Sequence, residues 1–249
     1  MILFVSGGSS ELGRTLIRQV WGRYDRIVAH YCSHKEQLKA LKAELEGENA
    51  PEGGKLVLAQ ADLACESQVK SLCSVLKEKE LLPDHYVSFP AAPVRIEKFH
   101  KMKWEELEND MGLQLKSNVL MLQQFLPAMA KRKYGKAVLM LSSCTAGTPP
   151  KYWSAYTTVK YALLGLVKSL AVEYGEKGVR VNGVSPSMVG TKFVENLPHL
   201  VIEKNQMEHP LGRLARPEEV TGVIGMLLSE QGDYINGENI VISGGSVMG

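Results

Sequence analysis

The chain has 249 residues and a net charge of +2, and its hydrophobic and charged fractions are 45% and 22%. This composition supplies a full hydrophobic core and excludes an intrinsically disordered chain. Because Lys and Glu are interspersed, no field of a single sign favours a nucleic acid or an anionic membrane as a partner.

The sequence indicates neither a membrane span nor a metal site. The first apolar run, residues 2–5, is too short for a signal-peptide core, and no stretch approaches roughly 20 apolar residues. The four cysteines form no CxxC pair, and free thiols fit a reducing compartment. We therefore expect a cytoplasmic protein without a bound metal.

Short apolar runs alternate with longer helical patterns along the whole chain. The runs ILFVS, RIVAHY, KLVLAQ, HYVSF, KAVLMLS, VRVNGVS and NIVIS predict seven strands. They are continuously apolar, which is typical of parallel strands covered on both faces. The helical patterns between them predict helices over residues 12–21, 36–46, 66–79, 104–131, 154–173 and 217–228.

This alternation predicts an α/β fold of right-handed βαβ units. We expect one Rossmann-type domain over residues 1–249, a doubly wound sheet of seven mainly parallel strands with helices on both faces. In such sheets ligands bind outside the carboxyl ends of the strands, where the strand order reverses. The loop SGGSSELG, residues 6–13, follows the first strand, and its small residues would let the backbone approach a pyrophosphate.

A possible catalytic group lies near the middle of the chain. Tyr156 and Lys160 are four residues apart in a predicted helix, so their side chains share one face. An ammonium beside the phenol lowers its pKa from about 10, which makes Tyr a usable general acid. Ser143 ends the preceding predicted strand, thirteen residues before Tyr156, and can hold a substrate oxygen. The three residue types suit protonation of a carbonyl oxygen as a nicotinamide delivers hydride.

The spacing of the Tyr and the Lys alone is not specific, because Tyr31 and Lys35 are also four residues apart. In that pair, however, the residue thirteen positions before the Tyr is Arg18 and not a serine. Together, however, the motifs resemble the short-chain dehydrogenase/reductases, in the single-domain form typified by 3-oxoacyl-(acyl-carrier-protein) reductases. The resemblance covers nearly the whole chain. The matching segments are the loop at 6–13, ADL at 61–63, Ser143 with YTTVK, RVNGVSP at 180–186, Thr191, GRLARPEEV and the closing ISGG.

The resemblance implies roles for individual residues. Ser143 would polarise the substrate oxygen, Tyr156 would be the general acid/base, and Lys160 would bind the nicotinamide ribose and lower the pKa of Tyr156. Asp62 would hold the adenine, and Thr191 with Val189 would contact the carboxamide. The full implied cofactor site is Ser6, Gly7, Ser9, Ser10, Leu12, Gly13, Tyr31, Asp62, Leu63, Ala91, Tyr156, Lys160, Pro186, Val189 and Thr191.

Several positions depart from the family pattern. Glu11 stands where the family usually has glycine, and a carboxylate pointing at a pyrophosphate would repel it. The segment SFPA at 88–91 replaces the usual Asn-Asn-Ala-Gly, and Ser187 replaces a glycine. Gln114 aligns with the helix Asn that supports the catalytic Lys in the family, with Asn118 as a possible substitute.

The second predicted strand ends without an acidic residue, and Tyr31 is expected at the place where NAD-specific relatives bind the ribose diol. His30, Ser33, His34 and Lys35 are nearby donors, so NADP(H) is favoured over NAD(H). The alternative interpretation is that these are solvated loop residues without a role in cofactor binding.

Residues expected around the substrate are largely apolar, which favours a 3-oxoacyl thioester, free or carrier-bound, or another hydrophobic ketone. A sugar or polyol dehydrogenase of the same family and a nucleotide-binding pseudoenzyme or scaffold remain alternatives. The resemblance also implies a homotetramer built through the long central helices. A lid is expected over about residues 187–212, and the substrate residues are Cys144, Thr145, Tyr152, Trp153, Met188 and Phe193.

Overall fold

The computed structural model describes residues 1–47 and 54–248. The predicted single domain over 1–249 therefore includes seven residues that lie outside this description. Within the described residues, one sheet of seven strands runs in the order β3-β2-β1-β4-β5-β6-β7, and every neighbouring pair is parallel. The strands are β1 Ile2–Ser6, β2 Arg26–Tyr31, β3 Leu56–Gln60, β4 His85–Ser88, β5 Gly135–Met140, β6 Val179–Pro186 and β7 Asn239–Ile242.

Helices cover both faces of this sheet, as the strand–helix alternation predicts. One core layer packs side chains such as Leu16, Leu38 and Ile224 against one face, and a second layer packs Val69, Phe125 and similar side chains against the other. The predicted fold class is confirmed. The helices are α1 Glu11–Val20, α2 Lys35–Glu46, α3 Glu66–Glu78, α4 Trp104–Met111, α5 Ser117–Arg132, α6 Ser154–Gly175, α7 His199–Glu208 and α8 Pro217–Leu227.

Two helical regions differ from the sequence prediction. The helix predicted over 104–131 is divided into α4 and α5 by a π-helical turn at Gly112–Lys116. Such turns are frequent at functional sites, and this one contains Gln114. The short helix α7 was not predicted, because residues 199–208 lack a clear apolar face.

The strand order reverses at β1, which lies between β2 and β4. The loops after β1 and β4 therefore diverge to opposite sides and leave a crevice at the carboxyl end of the sheet. A cleft of about 690 Å³ opens at this edge. Across the described residues, no helix is long and apolar enough to cross a membrane.

Candidate active site

The cleft is bordered by the loop after β1, the ends of β2 to β6, the start of α6 and the segment that includes α7. Most of the predicted cofactor residues border it. Ser6, Gly13 and Tyr31 do not. The predicted cofactor residues on its wall are Gly7, Ser9, Ser10, Leu12, Asp62, Leu63, Ala91, Tyr156, Lys160, Pro186, Val189 and Thr191.

The loop after β1 is held close to the sheet by glycine. Gly7 has φ +70°, and a Cβ there would lie 3.3 Å from the Pro90 ring. A Cβ on Gly13 would lie 2.5 Å from the carbonyl oxygen of Gly7, so this glycine serves the packing of α1 on the loop. Ser10 caps α1 by accepting a hydrogen bond from Gly13 N at 3.0 Å. The first N–H groups of α1 therefore face the cleft, where they can bind an anion.

Glu11 is the first residue of α1 and borders the cleft. Its carboxylate makes no hydrogen bond or ion pair with any residue in 1–47 or 54–248. Glu11 replaces a glycine that is usual in the family, and its carboxylate was expected to repel a pyrophosphate. In the structure Glu11 lies on the cleft wall. Arg14, one turn later, also borders the cleft, and its guanidinium forms no ion pair within the same described ranges.

His30 is a structural link beneath the loop rather than a phosphate donor. Its Nδ1 accepts a hydrogen bond from Gly7 N at 3.1 Å, and its Nε2 lies 2.9 Å from the carbonyl oxygen of Ala61. These partners require a neutral ring with the proton on Nε2. Burial also lowers the pKa of His30. The expectation that His30 donates to a 2′-phosphate is therefore wrong.

Tyr31 does not occupy the ribose position that the sequence predicts. Its side chain is 4% exposed and packs in the core layer with Leu38 and Leu41. Cys32 and His34 border the cleft instead, whereas the exposed Lys35 does not. The reason is that the last strand residue turns its ring into the core, so the cleft is bordered here by His30 and by residues after Tyr31.

Ser142, rather than Ser143, is the serine side chain that acts on Tyr156. It lowers the pKa of the phenol, against the effect of burial. Ser142 is 8% exposed and follows Met140 by two residues in extended chain, so both reach the cleft side. Ser143 also borders the cleft, at the start of a 3-10 turn, but no hydrogen bond of its hydroxyl joins it to Tyr156.

Lys160 is almost completely buried behind Tyr156. Its Nζ donates a hydrogen bond to the carbonyl oxygen of Met140 at 3.0 Å and lies 5.5 Å from the centre of the Tyr156 ring. Burial lowers the pKa of Lys160 to about 8. The ammonium is therefore held by the end of β5, beside the residue it was predicted to assist.

The expected lowering of the Tyr156 pKa does not occur in the protein alone. Burial raises the pKa of Tyr156, and this effect exceeds the opposing hydrogen bond from Ser142. The Lys160 ammonium is not hydrogen bonded to the phenol hydroxyl, because it lies 5.5 Å from the centre of the ring and donates to the carbonyl oxygen of Met140. A larger lowering would require the ammonium to approach the hydroxyl.

Gln114 lies in the π-helical turn and is 1% exposed. Its side-chain oxygen has no hydrogen-bond partner among the described residues, and it does not border the cleft. Its backbone oxygen accepts from Asn118 Nδ2 at 2.6 Å, and Asn118 Oδ1 accepts from the Tyr86 hydroxyl at 2.8 Å. The two amides that the sequence offered as alternatives thus lie in one buried network.

Four of the predicted substrate residues border the cleft: Cys144, Trp153, Met188 and Phe193. Thr145 does not, because its hydroxyl is used inside the protein by Ser142 O at 2.8 Å, Ser185 Oγ at 3.0 Å and Asn239 Nδ2 at 3.0 Å. Tyr152 is also absent from the wall. It has φ +70°, is 51% exposed and borders a separate small pocket.

Cleft residues that were not predicted include Ser142, Arg14 and Asn205. Residues 140–144 all border the cleft, so strand alternation gives no sequence signal that distinguishes Ser142 from Ser143. Arg14 follows the glycine loop by one residue, whereas Asn205 lies on the unpredicted α7 and carries no comparable signal. Among residues 1–47 and 54–248, no group of three His, Cys, Asp or Glu side chains is placed to hold a metal ion.

Comparison with known proteins identifies the family. A family profile described as Enoyl-(Acyl carrier protein) reductase matches residues 23–246. Oxidoreductase UcpA of Salmonella typhimurium (strain LT2) is 30% identical over 252 residues, which cover 98% of this chain and 93% of UcpA.

Solved structures share the fold. Levodione reductase matches with a TM-score of 0.88 at 24% identity, over 98% of this chain and 96% of that one. A gluconate 5-dehydrogenase from Burkholderia cenocepacia, solved with NADP and tartrate, matches with a TM-score of 0.85 at 21% identity, over 98% and 94%. The profile, the full-length relative and the shared fold confirm the resemblance: the chain belongs to the short-chain dehydrogenase/reductase family of oxidoreductases.

Proposed function

We propose that this protein is an NAD(P)(H)-dependent carbonyl reductase or alcohol dehydrogenase that interconverts a hydrophobic ketone and its alcohol. The observation that carries the proposal is the cluster of Ser142, Tyr156 and Lys160 on the cleft wall, with the Lys160 ammonium 5.5 Å from the centre of the Tyr156 ring.

Each residue has a distinct part in carbonyl reduction. Ser142 orients the substrate oxygen toward Tyr156, whose hydroxyl donates the proton that converts the developing alkoxide to an alcohol. The Lys160 charge stabilises the resulting phenolate from within the protein, where the low dielectric strengthens the interaction. When bound, the nicotinamide supplies the hydride in reduction and accepts it in the reverse direction. Gln114 and Asn118 would support the position of Lys160 by stabilising the helical segment in which they lie, at the start of α5.

The cleft has features that suit a dinucleotide. Its glycine loop packs low over β1, and the N–H groups at the start of α1 suit a phosphate charge. Ser9, Ser10 and Leu12 would hold the pyrophosphate. Asp62, Leu63 and Ala91 would hold the adenosine side, and Pro186, Val189 and Thr191 the carboxamide side.

NADP(H) is the favoured cofactor. Arg14 and His34 border the cleft beside Cys32, and no carboxylate occupies the end of β2 to exclude a 2′-phosphate. We therefore assign to Arg14 the contact with the 2′-phosphate that the sequence analysis had suggested for His30 and Lys35.

The substrate region supports a hydrophobic ketone, with a 3-oxoacyl thioester as the leading class. Trp153, Met188, Phe193, Leu197 and Val247 give this end of the cleft an apolar wall. A polyol would need more hydrogen-bonding groups than this wall provides. The unpaired Glu11 is the observation that favours the second candidate, a scaffold without catalysis, because it opposes tight binding of the cofactor on which catalysis depends.

We also propose that the chain acts as one domain, that residues 187–212 form a lid, and that four copies assemble in the cytoplasm. On α6, Tyr161 is 46% exposed and Val172 is 84% exposed, and a second copy would cover these apolar side chains. Light scattering at micromolar concentration should give the mass of four chains. A monomer mass would contradict the assembly.

The function is tested by Tyr156→Phe, which keeps the ring and its packing and removes the hydroxyl. Reduction of a panel of acyl thioesters and ketones should fall by at least about 10²-fold, whereas NADPH binding measured by fluorescence should be retained. Tyr31→Phe is the matched control, because Tyr31 is a buried tyrosine outside the cleft. Near-normal turnover in Tyr156→Phe would end the assignment.

A further inference from the structure

Asn205 presents an unused amide to the cleft. It lies on α7 and borders the cleft, and its Oδ1 is shielded from solvent without a hydrogen-bond partner. Neither its oxygen nor its nitrogen bonds to any residue within 1–47 or 54–248. Buried side-chain oxygens are usually paired, and an unpaired one costs about 1–3 kcal/mol. The oxygen has almost no accessible surface as placed, but a half-turn about χ2 exchanges it with the amide nitrogen, which is not shielded in this way. An unpaired amide beside the cleft therefore indicates a ligand group that completes it.

The lid segment and the C-terminal segment give the cleft both apolar and polar residues. Phe193, Val194, Leu197 and Val247 are apolar, and Lys192 and Ser246 are polar, but none of the six forms a hydrogen bond with the side chain of Asn205. An aliphatic ligand filling this part of the cleft would leave the amide oxygen desolvated and unpaired. A ligand with a hydroxyl or an amide at this position would satisfy it.

The helix that carries Asn205 is anchored at its C-terminal end. His209 follows α7 and is 7% exposed. Its Nδ1 accepts from Leu211 N at 3.1 Å, and its Nε2 donates to the carbonyl oxygen of Ser243 at 2.8 Å. These bonds tie α7 to the segment after β7, so the amide is held at a fixed point of the wall.

We infer that Asn205 is a specificity-determining residue that binds a hydroxyl or amide group of the substrate, remote from the reacting carbonyl. The inference rests on the proposed function and narrows its substrate class. The preferred ketones carry a polar hydrogen-bonding group beyond an apolar middle section, and purely aliphatic ketones are disfavoured. Asn205 acts by binding and takes no part in proton transfer.

Two matched pairs of ketones test this. One pair is 4-(4-hydroxyphenyl)butan-2-one and 4-(4-methylphenyl)butan-2-one, and the other is 4-hydroxycyclohexanone and 4-methylcyclohexanone. Each pair exchanges a hydroxyl for a methyl group of similar size. In the unmodified protein with NADPH present, ligand-observed NMR should give a dissociation constant about tenfold lower for the hydroxyl member of at least one pair.

Asn205→Leu should abolish this preference, and Asn205→Asp, which keeps an acceptor oxygen, should retain it. Gln206→Leu is the matched control on the same helix, because Gln206 does not border the cleft. A preference below twofold in both pairs for the unmodified protein overturns the inference, as does a preference that survives in Asn205→Leu. The first result needs no variant, so a variant that fails to fold leaves the inference testable.

Turnover of the same four ketones separates this inference from the proposed function. Selective binding without reduction of any ketone would contradict the proposed function and support the role of Asn205. Reduction of both members of each pair with equal kcat/KM would support the function and overturn the role of Asn205.

Discussion

Lys160 Nζ donates a hydrogen bond to the carbonyl oxygen of Met140 at 3.0 Å, which joins α6 to the end of β5 two residues before Ser142. Ser142 continues the extended chain of β5 and is the serine side chain that lowers the pKa of Tyr156, whereas Ser143 begins a 3-10 turn and has no such effect. Both serines border the cleft.

Ser142→Ala should therefore reduce kcat for carbonyl reduction by about 10²-fold, since it removes the group that orients the substrate oxygen. Ser143→Ala is the matched control and should lower kcat by less than about threefold. Steady-state kinetics with a ketone that the parent reduces would measure both. The reverse ranking would return the role to Ser143.

Glu11 should weaken cofactor binding. Its unpaired carboxylate borders the cleft at the start of α1, where a pyrophosphate would add negative charge. Glu11→Gln should lower the dissociation constant of NADPH by about fivefold to tenfold, as measured by fluorescence titration at low salt. The gain should shrink at 0.5 M salt because screening weakens the repulsion.

Glu105→Gln removes a carboxylate from the first turn of α4, away from the cleft, and should leave the dissociation constant unchanged. If Glu11→Gln behaves as this control does, the Glu11 carboxylate turns away from the cofactor and the repulsion does not exist.

Arg14 should set the preference between the two nicotinamide cofactors. Its unpaired guanidinium is placed to bind a 2′-phosphate by charge-assisted hydrogen bonds. Arg14→Ala should weaken NADPH binding by about tenfold and change NADH binding little, in parallel titrations. Lys35→Ala should leave the preference intact because Lys35 does not border the cleft. Equal affinities for the two cofactors in the unmodified protein would refute the preference.

Lys160 should make stability depend on pH in a defined window. Burial lowers its pKa from the usual 10.5 to about 8, so between these values the unfolded chain binds the proton and the folded protein does not. Stability therefore rises with pH from about 8 to 10.5, and the charged form costs up to about 3 kcal/mol at pH 7.

Lys160→Met should remove that slope and increase the free energy of unfolding at pH 7, as measured by urea denaturation from pH 7 to 10. Lys168→Met, at an exposed position on the same helix, is the control and should keep the slope. An unchanged slope in Lys160→Met would show that Lys160 is not the titrating group.

Local relationships were determined by the sequence itself. Continuous apolar character favours strands that are buried on both faces, and the seven strands lie where the seven apolar runs occur. Tyr156 and Lys160 share a helix face because a separation of four residues brings them together in any α-helix. The glycine loop follows β1 because a tight turn at φ +70° requires glycine at position 7.

The tertiary structure alone decided which residues of different elements meet. Lys160 reaches the carbonyl oxygen of Met140 because the end of β5 packs against α6 in one particular register. Tyr31 enters the core because α2 packs over the end of β2. Asn205 borders the cleft because α7 folds back and is anchored through His209. Such contacts depend on packing between segments far apart in the chain, which no local pattern records.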